Sequence, residues 1–251
     1  MMKYIKAEWL KEKRSSNRHL MFGVPIGFIV FTTLMSSIMA PPPEGRSNLL
    51  AVAFNWYPVI ILPVVLSLFT INLYQKETGP CIIKQRSIGI SWAKILLAKN
   101  IVMGIEVMIT LTVSGLFLYL MGNFAGNDPI SAREIIRGSM FLWIGSLSLL
   151  SLSVLLYQLL SGMGVIIVNF ILSLVATLLL ATSSYWFLFP WTYNLRLMAA
   201  AVGIHPNGTF LPPDSLLLAP QNLFIGGFLS IIIYGVSCVI VVWQERRKEN
   251  G

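Results

Sequence analysis

Between Arg137 and Arg196 the sequence contains no Asp, Glu, Lys or Arg, an uncharged run of 58 residues in a chain of 251. At about 1.5 Å per residue a single helix of that length would reach roughly 87 Å, against a bilayer core of about 30 Å. The run must therefore cross a membrane twice. Cysteine and histidine are scarce as well, with two of each. Cys81 falls in a polar loop and Cys238 in an apolar stretch, too far apart in topology to pair, so neither suggests a disulfide or a metal. His19 and His205 fall on opposite membrane faces in the topology below, which excludes a shared metal or a histidine-based intramembrane protease site. A phosphate-cradling P-loop is also missing: Lys84 follows Gly79 at the position where the second glycine belongs.

What is present is apolar length. Residues 20–40, 47–75 and 215–244 are free of charge, each long enough for one span, since about 20 apolar residues suffice. A further span over 95–121 carries Lys99 and Glu106. The double run divides at Ser161-Gly162-Met163-Gly164, where two glycines permit a tight hairpin. The fold class expected is an all-α integral membrane protein with six transmembrane helices, at about 20–40, 51–73, 95–121, 138–160, 165–188 and 222–243. Residues 1–19 precede this membrane domain of 20–244, and 245–251 form a tail.

Orientation follows from Lys and Arg. With the N-terminus inside, cytoplasmic segments hold six of these residues in 1–18, five in 76–99 and three after Trp243, leaving Arg46, Arg133, Arg137 and Arg196 outside. Both termini are thus expected in the cytoplasm. The net charge of +8 reads as this bias and not as a nucleic-acid footprint, which would gather on one soluble face. A cleaved signal peptide is not expected: the basic region is long, the apolar stretch has spanning length, and Pro41-Pro42-Pro43 follows it.

Three segments outside the spans carry information. Met2, Ile5 and Trp9 recur at helical spacing among Lys3, Lys6, Lys11 and Lys13, the pattern of a helix lying flat at the inner leaflet; a disordered basic tail is the alternative. The loop 74–93 holds Gln75, Lys76, Glu77, Gly79-Pro80, Lys84, Gln85, Arg86 and Trp92. Packed spans need only a few connecting residues, so a loop of about 20 reads as a docking element, with a solvated topogenic turn as the bland alternative. Outside, 189–221 is too apolar for a solvated link. Pro190 can start a helix there and Gly203 can stop it, with Trp191, Leu195, Met198 and Val202 as an apolar stripe and Thr192, Arg196, Ala199 and Gly203 as a small or polar one. The expectation is a short helix dipping into the outer leaflet, then a turn at His205-Pro206-Asn207-Gly208.

Glu106 is the ionisable residue clearly inside a span. It lies seven residues, about 10 Å, along the helix from Lys99. An intramembrane carboxylate is a functional candidate; equally, Lys99 can snorkel toward the interface while Glu106 bonds within the bundle or lines an inner cavity. Asn55, Asn72 and Asn169 read as interhelical hydrogen-bond partners.

Glu8-x-x-Lys11-x-Lys13-Arg14, Asn55-Trp56-Tyr57 with Leu62-Pro63, Gln75-Lys76-Glu77, and Trp92-x-Lys94 with Ala98-Lys99 carry a resemblance. The chain resembles the membrane subunits of type-2 ABC exporters and, within them, the permeases of lantibiotic immunity transporters, with the E-type subunit favoured over its G-type partner. The resemblance covers the whole chain: an interfacial elbow helix at 1–19, six spans, a coupling loop at 74–93 and short outer-leaflet helices between spans five and six. After Glu77 the loop departs from the highly charged form of the family.

The resemblance implies a half-transporter without its own ATPase site. Two copies of an ABC ATPase subunit would bind ATP and Mg²⁺, so no cofactor is expected on this chain, and Glu77, Lys84 and Arg86 would contact them. A second, different six-span permease would complete a heterodimer in a bacterial cell membrane. The cargo would be a lantibiotic or similar amphipathic antimicrobial peptide, expelled from the membrane to give self-immunity or resistance, with Trp191, Leu195 and Met198 on its path. A non-transporting scaffold or sensor subunit is the alternative, and an intramembrane enzyme is disfavoured by the missing nucleophile and metal constellations.

Overall fold

The computed structural model describes residues 1–76, 85, 87, 90–125 and 128–250, with the backbone only for 245, 246 and 248–250. Eight helices organise it. A short helix α1 (Met2–Lys11) precedes α2 (Ser16–Ser37), followed by α3 (Asn48–Gln75), α4 (Trp92–Ala125), α5 (Ala132–Leu159), α6 (Gly162–Leu180), a short α7 (Tyr193–Val202) and α8 (Gln221–Asn250). Six of them, α2 to α6 and α8, are long and apolar enough to cross a membrane. The chain is an all-α, multi-pass membrane protein.

α3 is the most buried span, while α2 and α6 leave most of their surface open. Packing explains how α3 tolerates two prolines. Pro63 has no N–H to donate to the carbonyl four residues earlier, and that carbonyl, on Val59, accepts instead from Ser173 Oγ of α6 at 2.8 Å. The backbone around Pro58 relaxes into a π-helical turn, Tyr57–Ile61, the usual local adjustment that re-satisfies freed groups inside a bilayer.

The double apolar run breaks one step earlier than the glycines suggest. α5 ends at Leu159, Ser161 caps the next helix by accepting from the Gly164 amide at 3.3 Å, and Gly162 and Gly164 sit in the first turn of α6. The physical reason is that a serine cap satisfies an orphan amide, whereas no left-handed glycine is needed: neither Gly162 nor Gly164 is among the positive-φ glycines, which in the described residues are Gly45, Gly203 and Gly208. Gly162 serves packing, since a Cβ there would approach Ile71 at 3.3 Å. α6 then stops at Leu180, short of the expected 188, and a chain of tight turns leads to α7.

Interhelical contacts sort the ends of the bundle. Asn17 at the start of α2 reaches Phe69 near the end of α3, and Tyr74 meets Tyr157 of α5 at 5.8 Å between ring centroids. These, with the end of α8, form what we term the basal end. At the apical end Asp128 Oδ2 accepts from the Leu49 amide at 2.9 Å, capping the start of α3. There Asn55 also donates to Pro206 O at 2.8 Å, holding a turn closed by the Ile204–Phe210 bridge. Gly203, at φ 73°, ends α7 in the left-handed region as the sequence suggests.

Candidate functional site

The basal end concentrates the buried charge. After α1 the chain makes one 3-10 turn, Glu12–Arg14, which points Glu12 back under the bundle. Glu12 is buried and its two oxygens are both used, one by Ser15 Oγ and one by Nζ of Lys76, which immediately follows α3 in the 74–93 loop. At the start of α2, Asn17 is fully buried. Its amide donates to Phe69 O at 3.3 Å and to Glu106 Oε2 at 3.1 Å, while its oxygen accepts from Asn72 at 3.0 Å. Glu106 has no exposed surface, and its Oε1 has no hydrogen-bond partner among the described residues.

Charge links the two layers. Glu12 repels and Lys76 attracts a charge on Glu106, so these three groups form one electrostatic unit across the elbow turn, α3 and α4. Lys99 does not snorkel to solvent. It is buried, donates to Leu73 O at 3.0 Å and lies 5.0 Å over the Tyr74 ring, capping a carbonyl near the end of α3 with a cation. What this arrangement can do is mechanical: Lys76 in the loop cannot move without disturbing the elbow turn, α2 and α4 together.

Beside the cluster, α1 and the loop enclose a cavity of about 360 Å³ lined by Lys3, Tyr4, Glu8, Lys11, Gln85 and Ile90 among others. Glu8 is 2 % exposed; its Oε1 pairs with Lys11 at 2.6 Å, while its Oε2 and Gln85 Oε1 are buried without a hydrogen-bond partner among the described residues. Glu77, Lys84 and Arg86, together with Cys81, lie outside the described residues.

Deeper in the bundle the asparagines tie helices together. Asn169 of α6 donates to Ser67 and Ser153, both at 2.9 Å, and accepts from Trp191 Nε1 at 3.1 Å. Trp191 is thereby fixed at the entry to α7, while Leu195 and Met198 on α7 are 2 % and 1 % exposed and packed in the core. The two-faced helix expected between spans five and six is instead buried on every side, all ten residues of it, because α5 and α8 pack against it as well. Arg196 survives that burial by donating to Ala181 O at 3.0 Å and Asn222 Oδ1 at 3.4 Å and by lying 5.2 Å over Trp186. Burial lowers its pKa from the ordinary guanidinium value and pushes the Tyr193 phenol up to about 12.

Between α4 and α5 a groove of about 500 Å³ opens, walled by Met108, Leu116, Ile136, Met140 and Trp143 among others, with Thr112, Tyr119 and Ser139 as its hydroxyl-bearing residues. It is apolar, of a size that takes a drug-sized or peptide side-chain cluster, and lies on spanning helices.

Six spans, a preceding basal helix and a long basal loop are thus in place when the sequence is set against family models. Residues 4–184 match the model of the ABC-2 family transporter protein. The chain belongs to the ABC-2 transporter family. It is accordingly a membrane permease subunit of an ABC transporter, and the family implies an ABC ATPase partner. Comparison with curated proteins and with solved structures gives no match. In an ABC-2 permease the basal cluster takes on meaning as the place where loop and spans meet. Glu12 and Asn17 escape sequence reasoning, although Glu8 and Glu12, two acids four apart in a strongly basic segment, are a signal.

Proposed function

We propose that this permease expels a lantibiotic or similar amphipathic antimicrobial peptide from the membrane, giving self-immunity or resistance. The observation that carries the proposal is the apolar groove of about 500 Å³ between α4 and α5. Largely apolar walls with three hydroxyl-bearing residues suit the apolar face of a membrane-bound peptide, and they suit an ion or a sugar poorly, since those require a dense polar lining.

In this reading the basal end, with both termini, faces the cytoplasm of a bacterial cell, and ATP with Mg²⁺ is bound by two copies of a separate ATPase subunit. The 74–93 loop receives that subunit through Glu77, Lys84 and Arg86; Glu8 and Gln85 line the cavity between α1 and the described part of the loop. Motion of the loop passes through Lys76 to Glu12 and Glu106, and from there to α2 and α4, which carries one wall of the groove. A second, different six-span permease completes the pathway. Trp191, Leu195 and Met198 belong to the exit side, where passage of a peptide requires α7 to part from α5 and α8.

The test is reconstitution. Proteoliposomes holding this chain, its partner permease and the ATPase are loaded in the membrane with a fluorescent lantibiotic, and ATP is added. ATP-dependent release of bound peptide supports the proposal. Release that is unchanged when this chain is omitted overturns it.

A further inference from the structure

The first twenty residues hold six Lys or Arg but two Glu, and both carboxylates are already engaged, Glu8 with Lys11 and Glu12 with Lys76. Lys13, Arg18 and His19 therefore have no acidic partner among the described residues. These three cationic or ionisable side chains, with Ser15 and Phe22, line an open cavity of about 350 Å³ where α2 enters the bundle. Immediately beyond it Phe22, Ile26, Val30 and Leu34 follow one another every fourth residue and are all exposed, so they lie in one row along α2. Open space lies beside this row, because nothing stands within 4 Å of a Cβ built at Gly23 or Gly27.

The two features make a single amphiphilic demand: an anion at the mouth and an apolar chain running up the span from it. Free phosphate meets the first half only. A nucleic acid meets the first half and cannot follow an apolar track into a bilayer. We propose that this pocket binds an anionic glycerophospholipid, its phosphate held by Lys13, Arg18 and His19 and an acyl chain laid past Phe22 along the open face of α2. Such a lipid would fix the angle between the elbow turn and α2, next to the Glu12–Lys76 pair.

The test uses the purified full-length chain in detergent, with dioleoyl phosphatidylglycerol, dioleoyl phosphatidylcholine and glycerol 3-phosphate as probes, read by native mass spectrometry. Phosphatidylglycerol is expected to bind in preference to phosphatidylcholine. Lys13→Gln/Arg18→Gln should weaken it by about 25-fold, about fivefold for each cation, while the control Arg133→Gln, exposed at the apical start of α5, leaves it unchanged. Phe22→Ser should weaken phosphatidylglycerol and leave glycerol 3-phosphate binding as it was. Should the double variant fold poorly, the single variants Lys13→Gln and Arg18→Gln give the same readout in smaller steps. Equal retention of the two lipids by the wild type, equal retention of phosphatidylglycerol by the variants, or glycerol 3-phosphate binding as tight as the lipid would each overturn the proposal. So would a second copy of the chain that stays on α2 after full delipidation.

Discussion

Removing the ammonium of Lys76 should expose how the basal cluster is held together. In Lys76→Ala the Glu12 carboxylate stays in place, 5 % exposed, with Ser15 Oγ as its remaining donor and the Glu106 carboxyl close enough to repel it. Breaking one side of a fully buried ion pair costs about 3–5 kcal/mol. The Lys76 side chain is 26 % exposed, so water already screens part of that attraction and the expected loss is about 2 kcal/mol. In a chain of this size that corresponds to a fall in Tm of about 4–8 °C. Glu12→Gln in the same background removes the stranded charge while keeping its shape and its hydrogen bond to Ser15, and should recover more than half of the loss. The assay is thermal unfolding of the two single variants, the double variant and the wild type in mild detergent, analysed as a double-mutant cycle. If Lys76→Ala were as stable as the wild type, or if adding Glu12→Gln made it still less stable, the cluster would not be the charged unit described above.

Other consequences are equally open to measurement. Gly145→Ala should destabilise the fold by about 1–3 kcal/mol, because the new Cβ would lie 2.1 Å from Asn194 Oδ1 and 2.9 Å from Leu197 Cδ1; unchanged thermal unfolding would contradict the tight α5–α7 contact. Glu106→Gln should fold and impair export, since an amide keeps the acceptor for Asn17 but cannot take up or release a proton, whereas Glu106→Leu should harm both by stranding Asn17; wild-type peptide tolerance in both variants would make Glu106 a bystander. Replacing Glu77, Lys84 and Arg86 together by Ala should abolish substrate-stimulated ATP hydrolysis in the purified complex without loss of expression, and intact stimulation would remove the docking role of the loop. Cys81 should react with a membrane-impermeant thiol reagent only in opened cells, and labelling of intact cells would invert the proposed orientation.

The spans were legible because their signal is one of length: no arrangement other than a bilayer helix uses so many uncharged residues in a row. Gly203 was legible for a similar reason, since the stop it provides is local. α7 was not. Reading Trp191, Leu195 and Met198 as one stripe and Thr192, Arg196 and Ala199 as another assumes a helix with a single apolar neighbour, and α7 has neighbours all round. Arg196 gives no warning of this in the sequence, because its donors are satisfied by Ala181 O, Asn222 and the Trp186 ring, groups brought in by folding. Glu12 was invisible on the same ground: its partner Lys76 is 64 residues away. Lys99 looks like a snorkelling residue at a span end, and only the packing of α3 beside it shows that a backbone carbonyl and a tyrosine ring take its charge.

The central claim, that the permease removes an antimicrobial peptide from the membrane, is tested most directly in cells. The minimal inhibitory concentration of a cationic lantibiotic and the amount of peptide held on the membrane are measured for cells with the complete transporter and for cells lacking only this chain. Loss of the chain should lower the inhibitory concentration and raise the membrane-bound peptide, and restoring it should reverse both. Equal sensitivity and equal bound peptide in the two strains would contradict the claim.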